Sequence, residues 1–238
     1  AFCILGEKKI DLGPPYLVQA YEAIRNEAVK EPQVLLTGGT ESAEDRGLAK
    51  YIPYIEELKG RFKEARIAIE AAPPMNTSCL DPLIDLGMDT FAANMEFYSP
   101  ECRDRLLPGK SSIPLDDYRN VLTYCNDAGV KTFSAVIAGP ESEMDTLDGV
   151  RFLAELGVPT NLLCVRPFPG SSLENHPRVN PAWFLQLTKK AVRIMDEYCV
   201  LENLADTAGC GSCGACAMEM NLYRLMKNGQ AEDTLDLL

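Results

Sequence analysis

Three closely spaced cysteines are the strongest chemical signal in this sequence. Cys210, Cys213 and Cys216 are separated by two residues each in the glycine-rich stretch GCGSCGACAMEM. Three thiolates at this spacing can fold around one small iron-sulfur cluster, and the glycines let the backbone bend toward it. The fourth ligand of such a cluster could be another cysteine, a nitrogen or oxygen group, or a substrate. Zinc is the main competing metal, because it also binds sets of three or four cysteines.

The remaining cysteines are dispersed. The chain has nine cysteines in 238 residues and opens without the basic and apolar pattern of a secretory signal, which favours metal or redox chemistry over disulfides. We therefore expect a cytoplasmic protein. The single cysteines in apolar or helical stretches are predicted to be buried structural thiols: Cys79, Cys102, Cys125, Cys164 and Cys199.

The net charge of the chain indicates which classes of partner it can bind. It has 23 basic and 35 acidic residues, a formal net charge of -12, which argues against a surface for the phosphate backbone of nucleic acids. No apolar run approaches the roughly 20 residues that a membrane span needs. The sequence therefore favours a globular protein that binds a small molecule or a protein partner, with no nucleic acid and no membrane.

A second signal lies in the stretch QVLLTGGTE. Val34, Leu35 and Leu36 form the apolar run of a strand buried on both faces, and Gly38 and Gly39 end it. A Gly-Gly turn after a parallel strand lies where small polar ligands are bound. The alternative is a tight strand-to-helix turn without a ligand.

The whole chain alternates strands and helices. Strands are predicted over 33–37, 66–71, 90–96, 131–138 and 160–165, and helices over 14–31, 43–63, 80–86, 115–128, 144–156 and 181–198. This alternation predicts an α/β fold with a parallel sheet, either a (βα) barrel or an open portion of one. Polar residues at the strand ends should then meet at one rim, among them Glu70, Glu141 and Arg166.

With these strand ends, the sequence resembles members of the radical S-adenosylmethionine (SAM) superfamily. Within this superfamily it is similar to the biotin-synthase-like branch, which includes methylornithine synthase and hydrogenase maturase types. The similarity extends from Ala1 to about Pro177. Ala1-Phe2-Cys3 is similar to the last positions of the family's C-x3-C-x-aromatic-C loop, which binds a 4Fe-4S cluster after the first strand. The resemblance implies that Cys3 is a cluster ligand and that the first strand of a partial (βα) barrel is missing from this chain.

The same resemblance implies a SAM site. TGGTE is similar to the segment that holds the SAM amino group, although Thr40 stands between the glycines and the carboxylate. In FAANMEFYSPE, two polar side chains correspond to the ribose ligands, and they are two residues apart on a strand, so both can face one ligand. Arg119 corresponds to an arginine for the SAM carboxylate, with an ordinary surface charge as the alternative. The implied SAM contacts are Gly38, Gly39, Thr40, Glu41, Asn94, Glu96, Arg119 and Gly139.

The resemblance implies an enzyme that cleaves SAM reductively at a 4Fe-4S cluster to a 5′-deoxyadenosyl radical, which takes a hydrogen atom from a small-molecule substrate. A reducing partner such as flavodoxin or ferredoxin is implied as well. We expect a barrel core over residues 1–200 and a C-terminal segment over 201–238 that holds an auxiliary 4Fe-4S cluster. The alternative is a degenerate, non-catalytic barrel with a zinc or iron-sulfur site that binds a ligand or transfers electrons. An aldolase-like barrel is disfavoured, because Lys131 begins a strand instead of ending one.

Overall fold

Five parallel strands form one continuous sheet. The computed structural model describes residues 13–27 and 31–228, and within them the strands are ordered across the sheet as they are along the chain. Every pair of neighbouring strands is parallel. The predicted parallel sheet is therefore confirmed, with strands Gln33–Thr37 (β1), Arg66–Glu70 (β2), Thr90–Ala92 (β3), Lys131–Ala138 (β4) and Thr160–Cys164 (β5).

Helices connect the strands and follow the last one. The long helices have the expected amphipathic pattern, and α7, the longest, turns Leu187, Ala191 and Val192 into the core. None of the helices in the described part of the chain has the length and apolar character that a membrane span requires. They are Gly13–Glu27 (α1), Ile52–Arg61 (α2), Asp81–Asp85 (α3), Pro100–Leu106 (α4), Leu115–Asp127 (α5), Glu143–Glu155 (α6), Pro181–Glu197 (α7), Cys210–Cys213 (α8) and Glu219–Lys227 (α9).

The strand register gives the sheet two distinct faces. Ala68 pairs with both Leu35 and Thr90, and Glu70 pairs with both Thr37 and Ala92. Since successive side chains point to opposite faces, these residues share one face, which we call the inner face. The outer face, which carries Val34, Ile67, Ile69 and Phe91, is buried under the helices together with Ile55, Leu58, Leu83, Leu122 and Leu153.

Two predicted elements differ from the structure. Residues 43–63 form a turn, the 3₁₀ helix Leu48–Tyr51 and α2 instead of one helix. Gly47 has φ 86°, and the Asp45 carboxylate accepts the N–H groups of Gly47 at 2.9 Å and Ala49 at 2.8 Å. These local hydrogen bonds replace the first turns of a helix.

The strand predicted over 90–96 is shorter, because β3 ends at Ala92. The next residues leave the regular ladder and rejoin β4 only at a bridge between Glu96 and Val136. Glu96 has φ 67°, a left-handed conformation that a continuous strand does not contain. The sequence also did not predict α4, which begins after Ser99, whose hydroxyl accepts the N–H of Cys102.

The described end of the chain packs on the sheet. Residues Leu201–Asp206 form a 3₁₀ helix, and α8 and α9 follow it. Leu204 is buried with Ala92 and Phe133 against the inner face. The outer helices and this C-terminal segment therefore cover opposite faces of the same sheet.

Candidate functional site

A polar pocket lies at the carboxyl ends of β1, β2 and β3. Its cavity volume is about 50 Å³, and it is partly open to solvent. Its residues come from three strand ends and from the loop after α4, so the tertiary fold is needed to assemble it. The pocket is lined by Thr37, Gly38, Thr40, Glu70, Ala71, Ala72, Asn94 and Lys110.

Asn94 fixes the centre of this pocket. Its Nδ2 donates to Glu70 Oε1 at 2.6 Å, and its Oδ1 accepts the backbone N–H of Ala135 at 3.0 Å. Among the described residues, these two hydrogen bonds leave one amide hydrogen and one lone pair of Asn94 unused. Burial raises the pKa of Glu70, while the Lys110 charge and the Asn94 hydrogen bond act in the opposite direction.

A second polar pair borders the pocket. Lys110 Nζ lies 3.0 Å from Glu96 Oε1, and both side chains are largely buried. Burial alone would lower the pKa of Lys110, but the charge of Glu96 and the hydrogen bond to it hold that pKa above its ordinary value. The left-handed backbone of Glu96, whose N–H bonds to Ala135 and whose carbonyl bonds to Ile137, turns its side chain toward Lys110. The pair therefore keeps a charged ammonium at the pocket wall.

Arg103 supports this pair and was not identified from the sequence. It is only 4% exposed, and its guanidinium donates to the carbonyls of Met95, Phe97, Lys110 and Ile113 at 2.8–3.3 Å. The same group stacks 5.3 Å from the ring centre of Tyr118. Arg103 thus joins the segment that carries Glu96 to the loop that carries Lys110. An arginine in a short helix near an acidic strand end is the only sequence signal for this role.

The Gly-Gly stretch is packed closely at Gly38 alone. A Cβ added there would lie 3.0 Å from both the Tyr51 hydroxyl and Lys50 Nζ, whereas one added at Gly39 would meet nothing within 4 Å. The Tyr51 hydroxyl is buried without a hydrogen-bond partner in the described part of the chain, and burial, together with the charges of Glu70 and Glu41, raises its pKa to about 12. The absence of a side chain at Gly38 therefore leaves room for the Tyr51 hydroxyl beside the pocket.

The other predicted SAM contacts lie at different places. Glu41 is not among the residues that line the pocket, and it pairs with Lys50 at 3.6 Å, while Lys50 also donates to the Gly39 carbonyl at 2.9 Å. Gly139 ends β4 with φ 123°, and a Cβ there would lie 2.7 Å from Val165. Gly139 is thus required for packing at the same rim, outside the pocket.

Arg119 lies away from the pocket, as Glu41 and Gly139 do. It lies on α5, in the outer layer of helices, with its guanidinium 4.9 Å from the ring centre of Phe152 and 3.7 Å from Asp116. The sheet separates this helix layer from the inner face. The alternative interpretation, a surface charge, matches this position.

The three residues expected at the rim have different surroundings. Glu70 lies in the pocket, but Glu141 is buried and accepts the N–H groups of Tyr98 and Ser99, both at 3.0 Å, so it stabilises the start of α4. Arg166 is exposed. Cys3, the predicted ligand of the first cluster, lies outside the described residues and stays a prediction.

The cysteine triplet has a fixed backbone and open thiols. Cys210 and Cys213 occupy the single turn of α8, Gly214 ends it with φ 65°, and all three thiols are exposed. Burial, followed by the charges of Glu70, Cys213 and Cys216, raises the pKa of the Cys210 thiol. Within residues 13–27 and 31–228, no three His, Cys, Asp or Glu side chains already converge as a metal site. The thiols are neighbours that would have to move together to bind one metal centre.

The dispersed cysteines only partly match their predicted burial. Cys102 and Cys125 are buried, and burial raises the pKa of Cys125 to about 12. Cys79 and Cys164 are partly exposed, and Cys199 is exposed. The prediction was wrong for Cys199, because it lies in the turn after α7, where φ is 55° and the side chain faces solvent.

Known proteins resemble this chain in structure. No family model and no curated protein matches its sequence. The [FeFe]-hydrogenase maturase HydG from Carboxydothermus hydrogenoformans aligns with a TM-score of 0.64 at 21% identity, covering 80% of this chain and 46% of HydG. Methylornithine synthase PylB aligns with a TM-score of 0.63 at 16% identity, covering 100% of this chain and 81% of PylB.

A third structure extends the comparison. Coproporphyrinogen III oxidase HemN from Escherichia coli, a radical SAM enzyme, aligns with a TM-score of 0.54 at 16% identity, over 70% of this chain and 40% of HemN. The chain thus spans less than half of HydG and of HemN. These likenesses and the all-parallel sheet show that this chain has the partial (βα) barrel fold of the radical SAM enzymes.

Proposed function

We propose that this chain belongs to a radical SAM enzyme of the biotin-synthase-like type, with the SAM site in the pocket at the carboxyl ends of β1–β3. The observation that carries the proposal is the convergence of Gly38, Asn94 and Lys110 there, where ligands bind in parallel α/β folds. Cys3 would be one ligand of the 4Fe-4S cluster. Cluster and SAM would supply a 5′-deoxyadenosyl radical for hydrogen abstraction from a small molecule, with flavodoxin or ferredoxin as electron donor.

The charges of the pocket suit SAM. Glu70 and Glu96 provide two carboxylates and Lys110 one ammonium, so the ionised set carries one net negative charge. SAM combines a sulfonium, an ammonium and a carboxylate, and therefore carries one net positive charge. Asn94 keeps one donor and one acceptor for a ribose hydroxyl, because its other two positions bind Glu70 and Ala135. These residues would bind and orient SAM.

An auxiliary iron-sulfur cluster at Cys210, Cys213 and Cys216 is the second part of the proposal. The spacing lets two thiols extend from one helical turn, and the left-handed Gly214 returns the chain toward them for the third. Three thiolates would leave one iron of a 4Fe-4S cluster without a ligand from the triplet. Zinc remains the competing metal for these thiols.

The test uses the complete protein, purified without oxygen. We expect a brown protein that binds SAM and forms 5′-deoxyadenosine after reduction with dithionite. Asn94→Leu should weaken SAM binding by about 10- to 100-fold, because Glu70 and the Ala135 N–H lose their partner. Arg119→Leu is the matched control and should bind SAM as the wild type does, since Arg119 lies in the outer layer.

The two clusters can be separated in the same assay. Cys213→Ser should lower the iron content and remove one cluster signal in electron paramagnetic resonance (EPR), while 5′-deoxyadenosine still forms. If SAM cleavage disappears as well, the triplet belongs to the primary site or to the fold. A colourless protein that reconstitution cannot load with iron contradicts the whole proposal.

A further inference from the structure

The inner face of the sheet binds the backbone of the cysteine segment, defined here as residues 206–219. Gln33 Oε1 on β1 accepts the N–H of Gly209 at 2.8 Å, and Thr90 Oγ1 on β3 accepts the N–H of Ala208 at 2.8 Å. Asn161 Nδ2 on β5 donates to the carbonyl of Cys210 at 3.1 Å. Three strands therefore fix three consecutive residues of the cysteine segment.

The glycines beside Cys210 pack directly on the sheet. A Cβ added at Gly209 would lie 2.9 Å from the Ala68 Cβ, and one added at Gly211 would lie 2.9 Å from the Phe133 ring. Contacts this short leave no room for a side chain at either position. In GCGSC, glycine is thus needed for close packing against the inner face, in addition to any freedom it gives a metal site.

The far end of the cysteine segment is anchored to the same sheet. Glu219 is 1% exposed, and its Oε1 accepts the backbone N–H of Leu162 on β5 at 2.8 Å. No neighbouring strand covers this side of β5 in the described part of the chain. Glu219 therefore satisfies an edge-strand donor and ties the end of the triplet loop to the barrel.

The register places Cys210 close to Glu70. Gly209 contacts Ala68, which lies two residues before Glu70 on the inner face of β2, about 7 Å away along the strand. Gly211 contacts Phe133, which the register aligns with Ala92 and, through it, with Glu70. Cys210 stands between these two glycines with an exposed thiol. The Glu70 charge is among the causes that raise the pKa of the Cys210 thiol, so this thiol and the Glu70 carboxylate lie near each other.

We propose that the inner face is the docking site of the cysteine segment, and that a metal centre held by the triplet shares the barrel interior with the pocket, with Glu70 between the two. Gln33, Thr90 and Asn161 are the positioning residues. The metal half of this inference rests on the proposed auxiliary cluster.

The docking half is tested on the complete, metal-free protein. Thr90→Val keeps the shape of the side chain and removes the acceptor of the Ala208 N–H. We expect hydrogen exchange at Ala208 and Gly209, and alkylation of Cys210 followed by mass spectrometry, to become about three- to tenfold faster. Thr188→Val is the control, because Thr188 is also buried but bonds within α7. Wild-type rates in both Thr90→Val and Gln33→Leu overturn the docking.

The metal half is tested on the reconstituted protein. Replacing the negative Glu70 by neutral Gln should raise the midpoint potential of the auxiliary EPR signal, since a nearby negative charge disfavours the reduced centre. Glu44→Gln, an exposed carboxylate outside the inner face, should leave the potential unchanged. An unchanged potential in Glu70→Gln overturns the shared interior. A triplet that takes up no metal refutes the auxiliary cluster, while the exchange rates still decide the docking.

Discussion

The pocket and the cysteine segment are two polar regions of one barrel, and they are organised in opposite ways. In the pocket, side chains hold one another: Asn94 binds Glu70, Lys110 binds Glu96, and Arg103 binds the backbone that carries this pair. In the cysteine segment, the backbone is fixed by Gln33 and Thr90, while the three thiols are exposed. The pocket side chains are therefore held in place by one another, whereas the triplet has an ordered backbone and exposed thiols.

This difference has a physical origin. Buried carboxylates and ammonium groups must be paired where they stand, because an unpaired buried charge is costly. A protonated thiol is only weakly polar and needs no partner. The pocket can therefore be altered by removing one hydrogen-bonding group, whereas the triplet should tolerate thiol changes until metal is bound.

The largest effect is expected from Arg103, on the pocket side of the comparison. Arg103→Met should lower the free energy of unfolding by about 3–5 kcal/mol, because four backbone carbonyls lose a charged donor inside the protein. Urea unfolding of the metal-free protein measures this change. Arg119→Met is the control, and its loss should stay below about 1 kcal/mol, since that guanidinium is partly exposed over Phe152. Equal losses in the two variants would show that the pocket wall does not depend on Arg103.

Glu219 provides a pH test of the cysteine segment. Burial raises its pKa to about 7, while backbone hydrogen bonds oppose this rise. The native state then holds the proton more tightly than the unfolded state, so the contribution of Glu219 to stability is complete below about pH 4.5 and is lost as the pH rises to about 7. The loss amounts to at most about 3 kcal/mol.

Glu219→Gln isolates this contribution. The variant resembles the protonated form, so its stability should match the wild type near pH 4.5 and exceed it above pH 7. Urea unfolding of both proteins across this range measures the difference. Glu197→Gln, which changes an exposed carboxylate at the end of α7, is the control. A constant difference for Glu219→Gln would mean that this carboxyl has the same pKa in the native and the unfolded state.

The sequence predicted the framework better than the site. The apolar runs of β1, β2, β4 and β5 end within one residue of their observed bounds, because buried parallel strands need continuous apolar sequence. β3 was predicted too long, since the left-handed Glu96 leaves no trace in an apolar pattern. Lys110 reaches the pocket from a loop, and Arg103 binds the backbone of that loop from a short helix. Their roles depend on tertiary packing, which no local pattern encodes.

The placement of the cysteine segment was equally hidden. The spacing of the thiols indicated metal chemistry, but nothing in GCGSC showed that its glycines pack on Ala68 and Phe133. Nothing in the sequence distinguishes Gln33, Thr90 and Asn161 from other polar residues in strands. Their role follows only when the register puts them on one face, which requires the pairing of all five strands.

The smallest effect compares two adjacent glycines at the pocket. Gly38→Ala should weaken SAM binding by about three- to tenfold, because its methyl group would lie 3.0 Å from the Tyr51 hydroxyl and take space from the pocket. Gly39→Ala meets nothing within 4 Å and should bind SAM as the wild type does. Calorimetric titration with SAM measures both. If the wild type and Gly38→Ala bind SAM with equal affinity, the bound ligand lies away from Gly38. If only Gly39→Ala loses affinity, the ligand contacts the side of the turn where Gly39 lies.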